Sequence, residues 1–193
     1  MESFYSTEEL KKLGLKKIGT NARISRKASI YNAEEIEIGN NVRIDDFCIL
    51  SGRIVLGDYI HISAYTSLFA GDAGIVLEDF VTISSRTAVY AITDDYSGNY
   101  MPNPLIPNKY RNVQAQKVKF HKHTLIGTGC TVLPGVEVGE GASVGAMSLL
   151  NRNVEPWTIN VGIPVKAIKK RSKNILELEK QFLEEIAMET KQE

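Results

Sequence analysis

Large aliphatic residues recur at every sixth position along most of this chain. The period slips by two residues at Ile36/Ile38, gains three residues at Phe69–Gly74 and is broken by a long insertion after Val89. A fixed short period indicates a solenoid, in which each repeat packs only against its neighbours. These positions, in which Phe120 is the one aromatic residue, are Ile18, Ile24, Ile30, Ile38, Ile44, Leu50, Leu56, Ile62, Leu68, Leu77, Ile83, Val89, Phe120, Ile126, Val132, Val138, Val144 and Leu150.

The position four residues after each aliphatic residue is also restricted, because its residues are small or medium in size and uncharged. Side chains alternate along a strand, so these two positions share the inward face and polar residues face outward. Cys48 and Cys130 occupy this position, where a thiol acts as a small hydrophobic group. Their spacing matches no metal-ligand or redox motif, and we therefore predict two buried, reduced thiols.

Glycine follows the aliphatic residue at several points where the chain must turn between strands, since glycine tolerates a positive φ. Gly39 and Gly57 are 18 residues apart, and so are Gly127 and Gly145. This spacing corresponds to three hexapeptides per turn. The sequence therefore predicts an all-β triangular parallel β-helix of about five or six coils, roughly 25–30 Å tall at ~4.8 Å per coil.

The net charge and the first residues of the chain indicate which binding partners and which cellular location to expect. Lys+Arg and Asp+Glu both number 23, so the formal net charge is zero, which argues against a nucleic-acid or membrane-surface partner. No apolar run approaches the ~18 residues of a spanning helix. The first residues, MESFYSTEELKK, are acidic and polar where a secretory signal would be basic and then apolar. We expect a soluble, cytoplasmic protein.

Helices are predicted at both ends of the repeat. Ser6 and Glu9 have capping-box spacing and Gly14 suits a helix C-terminus, which together predict a short helix over Thr7–Leu13. An apolar stripe predicts a C-terminal helix over about residues 172–189, covering the open end of the prism or a neighbouring subunit. The stripe consists of Ile175, Leu178, Phe182 and Ile186. The expected divisions are an N-terminal helical cap over 1–17, a β-helix over 18–171 with an inserted loop at 93–117, and a C-terminal helix over 172–193.

The long insertion is the best candidate for a functional element. Val89 and Phe120 are 31 residues apart where the repeat requires six, so about 25 residues are inserted. Long loops inside compact folds are commonly functional or disordered. The segment holds three prolines, which fix φ, and three tyrosines, which can pack, and this composition favours an ordered loop.

Three phrases of the sequence resemble the hexapeptide-repeat acyltransferases. They are IGNNVRIDD, IGTGCTVLPGVEVGEGASVGAMSLL and NVGIPVKAIKKR, and the resemblance covers residues 18–171. It is closest to galactoside and maltose O-acetyltransferases and to acetyltransferases of cell-envelope polysaccharide pathways. The resemblance implies a left-handed coil, a homotrimer, a loop that closes over an active site between subunits, and acetyl-CoA as co-substrate without a metal.

The predicted catalytic position departs from that family. The related O-acetyltransferases carry a catalytic histidine at the end of a strand just before the loop, and the corresponding residue here is Asp94. A carboxylate with a pKa near ~4 is a poor base for a sugar hydroxyl. An amine needs positioning more than deprotonation, so the aspartate favours an amino-sugar acceptor. Asp94 and Asp95 would then hold the ammonium group or accept its proton.

Two alternative functions remain at this point. A sugar O-acetyltransferase would need another base, for which His61, His121 and His123 are the candidates. A non-catalytic β-helix used for assembly is the other alternative. A metal-dependent activity is not expected, because His121 and His123 are only two residues apart, whereas the zinc enzyme that shares this coil pairs histidines five apart.

The resemblance also assigns the ligand-binding residues. Thr128 and Ala146, again 18 apart, would bind the pantetheine arm of CoA through their backbone groups. Cations suit the phosphates at the other end of CoA. The residues expected there are Asn151, Arg152, Lys166 and Lys169. Asp72, which matches an acceptor-binding aspartate of the family, and the loop residues Tyr96 and Tyr100 are expected to bind the acceptor, plausibly a nucleotide-linked amino sugar.

Overall fold

A computed structural model describes residues 3–189 and shows a left-handed parallel β-helix flanked by two α-helices. The helices are α1 (Thr7–Lys12) and α2 (Asn174–Glu189), and two 3₁₀ turns span Ala33–Glu35 and Asn108–Tyr110. The strands are β1 Lys17–Ile18, β2 Arg23–Ile24, β3 Ser29–Tyr31, β4 Ile36–Ile38, β5 Arg43–Ile44, β6 Ile49–Leu56, β7 His61–Ile62, β8 Ser67–Leu77, β9 Thr82–Ile83, β10 Ala88–Tyr90, β11 Ile92–Thr93, β12 Gln114–Ala115, β13 Val118–Phe120, β14 Leu125–Ile126, β15 Thr131–Val132, β16 Glu137–Val138, β17 Ser143–Val144, β18 Leu149–Leu150, β19 Thr158–Val161 and β20 Lys166–Lys170.

The described residues form seven coils rather than the five or six expected. One column of parallel-paired residues runs through all of them: Ile18, Ile38, Leu56, Leu77, Phe120, Val138 and Val154. The last coil was missed because it is two residues short, with Val138 paired to Val154 and Val144 to Asn160. Val154 therefore continues the column of large aliphatic residues four residues after Leu150 rather than six.

The two predicted inward positions form the core. The described aliphatic positions are buried with few exceptions, and Cys48 and Cys130 lie among them as free thiols, as predicted. The Cys48 Sγ is 3.2 Å from the Ser63 carbonyl oxygen. Burial raises the pKa of the Cys48 thiol to about 11, so little of the reactive thiolate forms near neutral pH.

We expect the double variant Cys48→Ala/Cys130→Ala to keep the parent's activity, because both thiols are buried in the core and neither belongs to a group of described residues that could hold a metal. Native protein should also react slowly with a thiol reagent at pH 8, and rapidly once unfolded. Enzyme assays and thiol titration check both points. An inactive but folded double variant would show that a cysteine has a functional role.

The N-terminal helix begins as the capping box predicted. The Ser6 backbone N–H donates to Glu9 at 2.8 Å, and the Glu9 N–H donates to the Ser6 hydroxyl at 3.3 Å. Glu9 also accepts two hydrogen bonds from Arg26, at 2.7 and 2.6 Å, and this guanidinium lowers the pKa of Glu9 to about 2. Leu10 is buried, so α1 seals the first coil.

The three edges of the prism carry different structures. The first edge consists of corner residues Asn21, Asn41, Tyr59, Phe80, His123, Gly141 and Trp157, all with positive φ. The second edge consists of Phe47, Tyr65, Arg86, Gly129 and Met147, also with positive φ, together with the residue before each. The inserted loop leaves and re-enters the coils at the third edge.

The C-terminal helix lies along the first edge and not across an open end, which corrects one expectation. The Phe182 ring packs edge-on against Tyr59 at 5.3 Å and Phe80 at 6.4 Å. Glu179 is 2.8 Å from His123 Nε2 and 2.5 Å from Lys122 Nζ. Along the first edge, α2 can pack against aromatic corner residues of several coils. Across the open end, it could contact only the short final coil. Neither helix of residues 3–189 is long and apolar enough to cross a membrane.

Candidate active site

The inserted loop is anchored at the third edge by a short antiparallel ladder. Ile92 pairs with Ala115 and Thr93 with Gln114, immediately after the last coil strand before the insertion. Gly71, in the earlier insertion, makes this approach possible because a Cβ there would lie 2.6 Å from Ile92 Cγ2. Asp72 follows Gly71 and is exposed beside this ladder.

A cavity of about 470 Å³ lies between the loop and the coils at this edge. Its floor is the stacked pair Phe69 and Tyr90, whose ring centroids are 5.2 Å apart. The loop supplies the other walls, which include Asp94, Tyr96 and Arg111. An aromatic floor with a carboxylate and a guanidinium beside it is suited to a polar ligand with an apolar ring face.

Asp94 is held by a residue that the sequence analysis did not identify. Arg111 Nη2 donates to Asp94 Oδ1 at 3.2 Å, and the arginine side chain is only 15% exposed. Its Nε is buried with no hydrogen-bond partner within residues 3–189. The Asp94 side chain remains 39% exposed, so the carboxylate is oriented and still accessible from the cavity. The repeat could not predict this contact, because Arg111 lies 17 residues after Asp94 in the irregular inserted loop.

Asp95 is engaged in a turn. It accepts hydrogen bonds from the Ser97 backbone N–H at 2.9 Å and from the Ser97 hydroxyl at 2.7 Å, and Asn112 Nδ2 is 3.4 Å away. The Ser97 hydroxyl is the main reason that the pKa of Asp95 lies below its usual value. This geometry gives Asp95 a structural role in the loop and offers no support for its predicted catalytic role.

Of the loop tyrosines, Tyr96 lines the cavity and Tyr100 is not part of its lining. Tyr96 is 92% exposed in the single chain, so its ring is free to contact a ligand or a second subunit. Tyr100 lies further along the loop and is also exposed. The acceptor-binding predictions for Asp72, Tyr96 and Tyr100 remain predictions.

The three histidines lie elsewhere. His61 Nε2 is 2.9 Å from Asp45 Oδ2 on the outside of the coils. His121 lies between two glutamates, and His123 is buried under α2 rather than on the surface. None of them lines the cavity that contains Asp94. In the described part of the chain, no three His, Cys, Asp or Glu residues form a group that could hold a metal.

The predicted pantetheine residues stack on consecutive coils of the second edge. The Met147 backbone N–H donates to the Thr128 carbonyl at 2.9 Å, which places Ala146 directly above Thr128. The Thr128 hydroxyl donates to the Ser85 carbonyl at 2.7 Å. Both predicted residues are exposed, so a ligand can run along this edge.

Two of the four predicted phosphate-binding residues come together at the last coil. Arg152 and Lys166 line one small cavity of about 250 Å³. Asn151 lies outside its lining but contacts Arg152, with a distance of 3.4 Å between Asn151 Oδ1 and Arg152 Nε. Lys169 pairs with Ile159 in the closing hairpin and is also outside the lining.

In one chain, the loop cavity and the pantetheine column are on different edges. Asp94 is at the third edge, and Thr128 and Ala146 are at the second. One face of the prism separates them, which is roughly 15–20 Å for a strand and its flanking corner residues. A single chain therefore does not bring all the predicted site residues together.

The fold and these sites define an acyltransferase of the hexapeptide-repeat class. The chain belongs to the sugar acyltransferases of this class, because it is 48% identical over 177 residues to the dTDP-4-amino-4,6-dideoxy-D-glucose acyltransferase of Escherichia coli, covering 90% of this chain and 92% of that protein. It is also 30% identical over 159 residues to a putative lipopolysaccharide biosynthesis O-acetyl transferase, WbbJ, of Escherichia coli strain K12, covering 76% and 74% of the two chains. No family model matches the sequence.

Solved structures of AntD, an N-acyltransferase from Bacillus cereus, share the whole fold. The complex of AntD with dTDP and 3-hydroxybutyryl-CoA has a TM-score of 0.94 and 54% sequence identity, over 97% of this chain and 100% of that one. Other AntD structures contain dTDP-4-amino-4,6-dideoxyglucose and coenzyme A. This similarity confirms the left-handed coil and the enzyme class. It also sets aside the non-catalytic alternative.

Proposed function

We propose that this enzyme transfers an acyl group from acyl-CoA, with acetyl-CoA as the expected donor, to the 4-amino group of a dTDP-linked 4-amino-4,6-dideoxy sugar. The amine nitrogen attacks the thioester carbonyl carbon, the C–S bond breaks, and the CoA thiolate takes up a proton as the amide forms. The observation that carries the proposal is the oriented, accessible carboxylate of Asp94 in a cavity whose lining contains no histidine.

Asp94 would bind and orient the acceptor amine. A carboxylate beside the amine hydrogen-bonds it, and Arg111 fixes the direction in which that carboxylate points. AntD has been solved as D94N and S84A mutants, and this chain has Asp94 and Ser84 at the same numbers. Ser84 follows β9, next to the second edge, and the sequence analysis did not single it out. The presence of a serine at this number in both proteins supports a functional role for Ser84.

We further propose a homotrimer in which Asp94 of one subunit faces Ser84, Thr128 and Ala146 of its neighbour. The separation of the two edges within one chain supports this arrangement. A closed three-fold assembly would form three equivalent clefts. Because nucleotide sugars and CoA thioesters are charged metabolites of the cytoplasm, we place the reaction there, in the supply of a lipopolysaccharide or related envelope glycan.

Mixed trimers test the shared site. We expect Asp94→Asn and Ala146→Trp chains to be nearly inactive separately, because each disables every cleft. Co-refolded at equal amounts, they should regain activity, since about a quarter of the clefts combine the intact halves by random assortment in a closed ring. Sedimentation checks the assembly. No regain in a mixture shown to contain mixed trimers would contradict a site shared between subunits.

A comparison of two acceptors, one with an amine and one with a hydroxyl at C4, tests the proposed function. We expect turnover with dTDP-4-amino-4,6-dideoxyglucose and acetyl-CoA, and no turnover with the matched sugar that carries a hydroxyl at C4. The reason is that Asp94 is too weak a base to activate a hydroxyl. Preferred acylation of the hydroxyl sugar would instead support the O-acetyltransferase alternative. Acetyl-CoA and 3-hydroxybutyryl-CoA should be compared as donors in the same assay.

A further inference from the structure

The two strands that anchor the inserted loop place a valine beside Asp94. Strand β11 pairs antiparallel with β12, and Thr93 is opposite Gln114. Extended by one residue, this register places Val113 opposite Asp94. Residues directly opposite each other in an antiparallel pair have Cβ atoms about 5 Å apart. Val113 is therefore an immediate neighbour of the carboxylate that we assign to the acceptor amine.

Contacts beyond the ladder support this register. Asn112 Nδ2 is 3.4 Å from Asp95 Oδ2, as expected for the next pair of opposite residues. Arg111 Nη2 is 3.2 Å from Asp94 Oδ1, as expected for diagonal neighbours on one face of the pair. Asp94 and Val113 both line the loop cavity of about 470 Å³, so their side chains point to the same side. A ligand bound to Asp94 in this cavity is within reach of Val113.

The surroundings of Asp94 differ between the coil side and the side further along the loop. Ile92, two residues before Asp94 and next to the coils, forms an apolar wall of the cavity together with Val113. On the other side, Tyr96 and Arg111 supply a phenol and a guanidinium. A group held by Asp94 therefore has hydrocarbon on one side and polar groups on the other.

The proposed acceptor has a matching asymmetry around its amine. The amine is on C4, the C6 methyl group is on the adjacent C5, and a hydroxyl is on C3. We propose that Val113 is a specificity-determining residue that contacts the C6 methyl group and disfavours sugars with a hydroxyl at C6. The C3 hydroxyl then faces Tyr96 and Arg111. This inference rests on the proposed function, because it requires Asp94 to hold the C4 amine.

The apolar wall disfavours a C6 hydroxyl because of the water that the hydroxyl must give up. Against Val113 and Ile92, it would face hydrocarbon in place of that water. An apolar pocket distinguishes ligands that differ by one hydroxyl by up to about a hundredfold. The Val113 side chain is 43% exposed in the single chain, which leaves the hydroxyl partly hydrated. We therefore expect a preference of about tenfold for the 6-deoxy sugar.

The test compares two dTDP-linked acceptors, 4-amino-4,6-dideoxyglucose and 4-amino-4-deoxyglucose, which differ only at C6. The parent enzyme should show a kcat/KM about tenfold higher for the 6-deoxy acceptor. Val113→Thr replaces a methyl group by a hydroxyl at nearly equal volume, so it should abolish or reverse this preference, chiefly through the acceptor KM. Val113→Ala should weaken the 6-deoxy acceptor without improving the 6-hydroxy acceptor.

Val113 is the better residue to change, and a matched control is present in the coils. Ile92 anchors the loop, since a Cβ on Gly71 would lie 2.6 Å from its Cγ2. Val55 is a half-buried valine on β6, outside the lining of the loop cavity. Val55→Thr makes the same chemical change there and should keep the parent's preference. The KM for acyl-CoA should stay at the parent's value in all three variants.

The outcomes separate this inference from the proposed function. Equal acylation of the two amines by the parent would overturn the inference and leave the proposed function standing. So would a Val113→Thr variant that keeps the parent's preference, or one that loses activity equally with both acceptors, because the side chain would then serve only the structure of the loop. Failure of the parent to acylate either amine would instead contradict the proposed function.

Discussion

Asp94→Asn is expected to lower kcat/KM for the amino-sugar acceptor by about 10²-fold, within the usual range for loss of a group that assists proton transfer. Asparagine keeps an oxygen that can accept the hydrogen bond from Arg111, so the loop should keep its shape while the charge is lost. The matched change Asp95→Asn should cost far less activity, because Asp95 is bonded to Ser97 and Asn112 and does not line the cavity. Steady-state kinetics with both variants, alongside thermal melts, separates a role in the reaction from a loss of folding.

The pH dependence of the reaction rate should follow the ionisation of the acceptor's amine. If the amine is the nucleophile, the rate rises with pH as the ammonium form loses its proton, and it levels off once the amine is neutral. Removing His61, His121 or His123 singly should matter less than Asp94→Asn. An indispensable histidine, with Asp94→Asn close to parent activity, would contradict the role given to Asp94.

Arg152→Ala combined with Lys166→Ala should raise the KM for acyl-CoA well above tenfold and change kcat little. Each charge-assisted phosphate contact contributes about 1.5–3 kcal/mol when well formed, and the exposure of both side chains reduces that value. The structure supports the pairing of these two residues, since both line the cavity at the last coil. KM measured at two salt concentrations should also show a weaker salt dependence in the double variant.

A charge-matched control separates local binding from general attraction. Lys170→Ala with Lys180→Ala removes two exposed positive charges outside that cavity and should leave the KM near the parent's value. In the parent, a dephospho-CoA thioester should bind more weakly than the CoA thioester. Equal binding of the two thioesters would show that Arg152 and Lys166 do not contact the 3′-phosphate.

The periodic part of the fold could be predicted from the sequence, because the same two positions of each six-residue repeat require an uncharged residue that can be buried. Ile62 and Cys48 are buried for reasons visible in six residues of sequence. The final coil was not counted because it has 16 residues instead of 18, so that Val154 and Asn160 pair with Val138 and Val144 two residues earlier than the repeat requires. The apolar stripe of α2 predicted the helix but not what it packs against, so the position of Phe182 on Tyr59 and Phe80 was not foreseen.

The site was predicted only in part, for a related reason. Asp94 was assigned from the family resemblance, which aligns it with a catalytic histidine, and Thr128 and Ala146 were assigned in the same way to coil corners 18 residues apart. Arg111 could not be assigned, since its contact with Asp94 depends on the path of an irregular loop. Contacts between residues of different subunits, as in the proposed trimer, leave no periodic signal in the sequence of one chain.

The bond formed in the product tests the central claim most directly. Acetyl-CoA labelled with ¹³C at the carbonyl, reacted with dTDP-4-amino-4,6-dideoxyglucose, should give a product whose labelled carbonyl couples to an amide N–H on C4 of the sugar. That product should survive mild alkali. A labelled carbonyl coupled to a hydroxyl-bearing carbon, released by mild alkali, would be an ester, and it would contradict N-acylation while leaving the protein an acyltransferase.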